Sequence, residues 1–315
     1  MSQKAAYIRF CSTAPDLPVF LEPWYLDAAG AAYGSWEVAL VERNGQPVAV
    51  WPYFVSKKLG LTRSISPPLC KYVGPYLLPE YRTDRKLLAT LIDQFPTFGR
   101  AEIVLDTRID DWSLFHQRGW AQTTRYTFHK TRPTSHNFPA DLDKRTRAVL
   151  RRAAQTIEVQ SEELPVESMY ELSREPFARQ GIPIPYTSAH FRNIYEASVK
   201  HRRASCLVAR DQSGELHGFL LLLHDRQRSY GLASAVVDRF RSQNANYLLQ
   251  QAAIRHTFEV LQLDTFDFLG SMIPGVAQLF RKMGAQQIPY HLLSRTDGRL
   301  LRWVNFLKSE LKIRS

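Results

Sequence analysis

Cysteine is scarce in this chain: Cys11, Cys70 and Cys206 are the only three in 315 residues. An odd number at wide spacing argues against a disulfide framework or a thiolate metal site, and fits a reducing cytoplasm. Cys206 lies inside an apolar run, where a lone cysteine serves as a small core residue. Long hydrophobic runs are also missing. The longest purely aliphatic one, Leu220 to Leu223 with Phe219 before it, is far below the length of a membrane span. Met1 to Phe10 has no continuous apolar segment of the kind a secretory signal carries. A soluble, cytoplasmic protein with no membrane span is expected. The nine histidines never fall at His-x-x-x-His or His-x-His spacing, so no metal is expected. A Walker-type loop, a Rossmann glycine fingerprint and a Gly-x-Ser-x-Gly elbow are absent too. That argues against nucleotide hydrolysis, hydride transfer and serine-hydrolase chemistry.

What is present can fill two cores of ordinary size, with 44% hydrophobic and 12% aromatic residues. The formal charge of +11 favours anionic partners such as phosphates, CoA-like cofactors, nucleic acid or anionic headgroups, or simply a basic solvated surface.

The first half reads as mixed α and β. Trp36 to Val41 and Pro47 to Val55 flank Asn44-Gly45 and predict a hairpin. The Pro-rich, aromatic stretch from Ser66 to Pro79 cannot be a regular helix and predicts an ordered loop. A helix over Arg85 to Phe95, a strand over Ala101 to Leu105, a short helix over Trp112 to Arg118 and a strand over Tyr126 to Lys130 follow. The polar segment Thr131 to Pro139 predicts a boundary, giving one domain over 1–135 and another over 136–315. The second opens on the helix Asp141 to Gln155, with Lys144, Arg145, Arg147, Arg151 and Arg152 behind acidic residues. Its further elements are a strand at Thr156 to Gln160, helices at Glu167 to Arg179 and Ser188 to Lys200, and strands at Ala204 to Arg210, His217 to His224 and Ser229 to Val237. A long helix over Asn244 to Leu261, a strand at Thr265 to Phe268, a helix at Pro274 to Met283 and a strand near Pro289 to Leu293 complete it. Ser188 reads as an N-cap. No repeat shows at the level of residue identity, a test to which a structural duplication is invisible.

The order β, α, α, β, β, β, α, β, α, β resembles that of a GNAT acyltransferase domain, pieces of which many α+β folds share. Three stretches sharpen the resemblance: the turn Arg210 to Gly218, then Tyr230-Gly231-Leu232 with Arg239 to Leu249, and Phe266 to Ser271 followed by Pro274-Gly275-Val276, Phe280, Arg281 and Gly284-Ala285. The third resembles the FemAB-like branch of GNAT, including acetyltransferases called BioF2-like or CelD-like. The basic helix around Arg147 and Arg151 is similar to the stretch preceding the second domain of Fem-type aminoacyltransferases. The resemblance implies an α+β protein of tandem GNAT-like domains, each a mixed, mostly antiparallel sheet flanked by helices, the first degenerate and the second better marked. One departure stands out. Acetyl-CoA-binding GNAT domains usually have Gly-x-Gly or Gly-x-Ala before the long helix, where this chain has Arg241, Asn244 and Asn246. Asparagine takes the left-handed conformation less freely than glycine, and also serves as a helix cap.

The resemblance implies direct attack of an amine on an acyl donor, without a covalent intermediate. Asp267, between two aromatics at a strand end, is the candidate base, its pKa raised by partial burial; equally it reads as a turn-forming Asp bonding backbone amides around Gly270-Ser271. Tyr230 is a candidate proton donor to a leaving thiolate, or a half-buried strand tyrosine. Arg239 and Arg241, with Asn244 and Asn246, are candidates for holding donor phosphates. Arg147, Arg151, Ser271 and Arg281 are candidates for the acceptor side, with Arg281 alternatively satisfying carbonyls at its own helix end. The leading expectation is an N-acyltransferase that moves an acyl group, acetyl from acetyl-CoA, to an amine of a small molecule or an envelope or saccharide precursor. The first alternative is a Fem-type transferase using aminoacyl-tRNA on a peptidoglycan precursor. The second is a catalytically silent module that binds a polyanion.

Overall fold

The computed structural model describes residues 2–58, 60–132, 138–270 and 272–297. The described residues form two compact units, one holding those up to 124 and from 290, the other 125–289. The division differs from the expected one. Residues 125–132 belong with the second unit, and the strand from Tyr290 to Thr296 belongs with the first.

The first unit starts with helices α1 (Gln3–Thr13) and α2 (Pro23–Gly30), followed by strands β1 (Ser35–Arg43) and β2 (Gln46–Lys58). These two pair antiparallel, Trp36 opposite Phe54, around Asn44 and Gly45 at φ of 52° and 74°. Two consecutive left-handed residues give a turn whose twist matches that of the strands, as the sequence predicted. β2 is buried along Val48 to Phe54, and Trp51 stacks on Phe95 at 4.1 Å in an aromatic core. Strand β3 (Leu61–Ile65) and the short β4 (Tyr76–Leu77) both pair with β2. Between them Leu69 and Tyr72 have positive φ, which keeps the Pro-rich stretch irregular but ordered. Helix α3 (Arg85–Asp93), strand β5 (Arg100–Val104), helix α4 (Ser113–His116) and strand β6 (Ala121–Thr131) follow. β3 runs parallel to β5, and β5 pairs antiparallel with the chain's last strand over Leu292 to Thr296.

The second unit has the expected order. Helix α5 (Lys144–Ala153) and strand β7 (Ile157–Ser161) precede helices α6 (Val166–Ala178) and α7 (Ser188–Lys200). Strands β8 (Ala204–Asp211), β9 (Leu216–His224) and β10 (Arg228–Val236), helix α8 (Ala245–Arg255), strand β11 (Thr265–Asp267), helix α9 (Pro274–Lys282) and strand β12 (Gln286–Thr296) complete the chain. β7, β8, β9 and β10 are successive antiparallel neighbours, β10 is parallel to β11, and β11 is antiparallel to β6. Each unit therefore contains one parallel strand pair with a helix in its crossover, α3 in one and α8 in the other. This is the duplication that residue identity hid. Two caps refine the sequence reading. Asp143, accepting from the Thr146 amide at 2.8 Å, starts α5, and Thr187 rather than Ser188 caps α7 through the His190 amide at 3.2 Å. The core beneath α5, α8 and α9 joins Phe128, Leu150, Leu222, Ala253, Phe266 and Phe280.

Candidate active site

The parallel pair in the second unit is short. β11 meets β10 only from Arg228 to Tyr230, and β10 then runs on to Val236 with no described strand on that edge. The register of β10 against β9 slips between Gly231 and Ala233, a bulge that turns the strand further. At the bulge Gly231 lies against the Phe266 ring, where a Cβ would sit 3.4 Å away in ordinary van der Waals contact. The result is a splayed sheet with an open backbone edge.

Beside that edge lies the start of α8. A six-residue 3₁₀ segment, Asp238–Gln243, leads to Asn244 at φ 64°, ψ 28°. Asn244 sits in the left-handed region that glycine favours, reached here by a residue whose short polar chain bonds locally: its Nδ2 donates to the Ser242 carbonyl at 3.1 Å. It therefore gives α8 no side-chain cap, while Asn246 Oδ1 accepts from the Tyr247 amide at 3.1 Å. A helix start of this kind attracts anions through its amides and dipole.

A cleft of about 470 Å³ joins the edge to the helix start. Ser234 to Val236 of β10, Arg241, Ser242, Asn244, Asn246, Leu249 and Gln250 line it with Val276, Leu279 and Phe280 of α9 and with Pro176 and Arg179 beside α6. Its two charged side chains, Arg179 and Arg241, are both cationic. No carboxylate, imidazole or thiol is among the described residues lining it. The volume suits an extended organic ligand, and the charge suits an anionic end.

Of the predicted donor residues, the fold brings Arg241, Asn244 and Asn246 together. Arg239 stays apart, exposed, ion-paired with Glu215 and resting on the Phe240 ring. Arg179 was not singled out in the sequence; a helix-end arginine paired with Asp238 at 2.9 Å has no signal of its own.

Asp267 and Tyr230 do not line this cleft. Both are fully buried at the root of the splay. Asp267 Oδ1 accepts from Thr127 Oγ1 at 2.5 Å and from the Leu269 amide at 2.8 Å, and its Oδ2 lies 3.2 Å from His129 Nε2. The sequence predicted a raised carboxyl. Burial does push it up, but His129, Arg228 and Thr127 outweigh burial and hold it below the usual carboxylate range. The turn-forming reading of Asp267 is the one the geometry matches, with Leu269 at a positive φ of 54°. The Tyr230 hydroxyl donates to Asp225 Oδ2 at 2.5 Å.

Arg147 and Arg151 do share a second cleft of about 530 Å³, with Lys144, Pro139, Leu150, Ala154 and Gln251 and no acidic side chain among the described residues lining it. Arg147 also donates to the Ala140 carbonyl at 2.7 Å. Arg281 sits on the outer end of α9, bonded to Gln287 and over the Phe128 ring. Ser271 lies outside the described residues.

The first unit's crossover helix offers a contrast. Asp84 caps α3, its carboxylate accepting from the Leu87 amide at 2.9 Å. That amide and Arg43 hold the carboxyl below its usual range. The adjoining cleft, about 240 Å³, is lined by Asp84, Asp106, Asp110 and Asp111 among others. Arg82, Arg85 and Arg108 line it as well, and the amide at the start of α3 is already bonded to the Asp84 carboxylate.

Residues 136–277 match the Acetyltransf_6 family, an acetyltransferase (GNAT) domain. No curated protein matches the chain. Among solved structures, FemX is similar over 92% of this chain and 96% of its own, at 14% identity and a TM-score of 0.70. A C-terminal domain assigned to a lysylphosphatidylglycerol synthetase from Agrobacterium fabrum is similar over 97% and 96%, at 14% identity and a TM-score of 0.60. A tandem GNAT protein from the clavulanic acid biosynthesis pathway is similar over 93% of each chain, at 12% identity and a TM-score of 0.53. Residues 136–277 thus carry an acetyltransferase (GNAT) family domain, and the chain as a whole has the fold of FemX and of tandem GNAT proteins.

Proposed function

We propose that the second unit is an acyl-CoA-dependent N-acyltransferase whose donor lies in the 470 Å³ cleft. The observation that carries this is the pairing of an open β10 edge with an α8 start that has a left-handed Asn244 and no side-chain cap. In this reading the amides at the start of α8, with Arg241 and Arg179, hold the donor's phosphates. The acyl-bearing arm runs along Ser234 to Val236, on the edge of β10 where no described strand pairs. The thioester then lies where β10 and β11 part. The acceptor amine attacks its carbonyl, the tetrahedral oxyanion is met by strand amides, and the thiolate leaves. In this reading the amine reacts as its free base and sheds its proton to water, since the described residues lining the cleft include no carboxylate or imidazole. Asp267 and Tyr230 are positioning residues: through Thr127, Leu269 and Asp225 they fix the point at which the strands separate. Acetyl is the proposed acyl group.

The test is a thermal-shift comparison of acetyl-CoA, longer acyl-CoAs and CoA against the free protein. A ligand held only by the folded state at 100 times its Kd adds about 2.7 kcal/mol of stability. No shift with any CoA species would refute the proposal. A second reading, an aminoacyl-tRNA donor, is favoured by the basic α5 cleft around Lys144, Arg147 and Arg151. It requires tRNA binding that weakens steeply with salt and with Arg147→Glu and Arg151→Glu. Those two arginines are placed on the acceptor or polyanion side in either reading.

A further inference from the structure

Gln250 lies on α8, six residues beyond Asn244, which is about 9 Å along the helix axis. It is only 7% exposed, and its Oε1 is buried without a hydrogen-bond partner. Among the described residues, the other buried side-chain atoms in that state include Nε1 of Trp51 and Trp120, held in the aromatic core of the first unit. Gln250 differs from them because it lines the donor cleft. A buried amide oxygen without a partner is costly and uncommon, and the side chain that carries this one belongs to the cleft wall, where a small rotation would bring the carboxamide to a bound group.

The neighbours define what could fill it. Leu249, Leu279 and Phe280 supply apolar surface around the carboxamide. A phosphate end belongs at the α8 start, 9 Å or so away. The group opposite Gln250 should therefore be neutral, polar and some distance down a chain that starts at a phosphate. A carboxamide presents one acceptor and two donors, so its natural complement is another amide, which presents one of each. An acyl-CoA carries secondary amides in the pantetheine arm between its phosphates and its thioester. The ribose ester end of an aminoacyl-tRNA has none between phosphate and acyl group.

We propose that the Gln250 carboxamide pairs with an amide of the pantetheine arm, sets the depth at which the thioester rests, and selects a phosphopantetheine thioester as donor. This rests on the acyl-CoA reading above. It adds a side-chain readout to the backbone edge of β10, and gives a hydrogen-bonded amide in place of an unpaired one.

The experiment measures binding of CoA and of 3′,5′-ADP, which keeps phosphates but lacks the arm, by titration calorimetry. The proteins are wild type, Gln250→Met, which preserves the length of the side chain, and Gln250→Glu, which preserves its shape and keeps an acceptor. Gln250→Met should lose about tenfold in CoA affinity, the worth of one hydrogen bond to a buried group, and less than twofold for 3′,5′-ADP. Gln250→Glu should fall between wild type and Gln250→Met. CoA binding to Gln250→Met as tightly as to wild type overturns the inference while leaving the donor reading intact. Wild type that binds CoA no tighter than 3′,5′-ADP overturns it in the same way. Wild type that binds neither ends both. Melting temperatures of the free proteins verify that the variants fold, and Gln250→Met should not fall below wild type, because it removes an unpaired polar atom.

Discussion

Asn244 is the position at which backbone conformation and donor binding meet, and replacing it separates the two. Left-handed backbone costs an ordinary L-residue about 1–2 kcal/mol, a cost glycine does not bear. Asparagine lowers it here with its bond to the Ser242 carbonyl. Asn244→Val should carry the full penalty, losing about 1–2 kcal/mol, a factor of roughly 5–30 in the folding equilibrium. Asn244→Gly exchanges steric relief for that one exposed hydrogen bond and should lie within about 0.5 kcal/mol of wild type. The assay can assign the loss to its unit. Trp24, Trp36, Trp51, Trp112 and Trp120 belong to the first unit and no tryptophan falls within 125–289, so the fluorescence of those five follows the first unit and far-UV circular dichroism follows both. In urea, Asn244→Val should lower the dichroism midpoint at unchanged slope, and leave fluorescence alone if the units unfold separately. If they unfold together, both signals shift equally. CoA affinity should survive in Asn244→Gly and fall in Asn244→Val, because the amides at the start of α8 keep their direction only in the first. Valine as stable as asparagine, or glycine as damaging as valine, would refute the reasoning.

Four further outcomes are expected. Gly218→Ala would bring a Cβ to 2.5 Å from the Ala235 carbonyl, in the stretch of β10 that lines the cleft. It should cost about 1–3 kcal/mol and weaken CoA binding, both measured on one purified sample. Asp267→Ala strips partners from Thr127, the Leu269 amide and His129 and should cost about 3–5 kcal/mol in urea unfolding at pH 7. The Asp267 carboxyl is held below its ordinary value, so its contribution is complete above about pH 4 and fades as pH falls further. Asp267→Asn should lack that fade, which a urea series from pH 7 to pH 3 will detect. Trp51→Ala, at a fully buried stacked ring, should cost about 3–5 kcal/mol and shift the fluorescence transition of the first unit, the mirror image of Asn244→Val.

Local chemistry made much of the fold legible. Asn44-Gly45 marks its hairpin because two left-handed residues in succession admit few side chains. Gly119 and Gly284 mark helix ends for the same reason, at φ of 77° and 72°. The second unit's element order is written in periodicity that depends only on near neighbours. The first thirty residues are less legible, because α1 and α2 lack a sharp polar face and are held by packing instead. The domain boundary is legible only as a polar segment. Which unit receives the last strand depends on pairing between Leu292 to Thr296 and Arg100 to Val104, nearly two hundred residues earlier in the chain.

The candidate site divides in the same way. Sequence alone determined that α8 begins near Asn244, that arginines precede it and that Asp267 closes a strand, since each is a statement about adjacent residues. Tertiary structure decided what those residues do. Asp267 became a buried partner of Thr127 and His129, residues 140 and 138 positions earlier in the chain, so its carboxyl is held down rather than raised. Arg179, Ser234 and Gln250 entered the cleft from three different elements. Burial and electrostatic environment are sums over neighbours in space, and a chain shows only its neighbours in sequence.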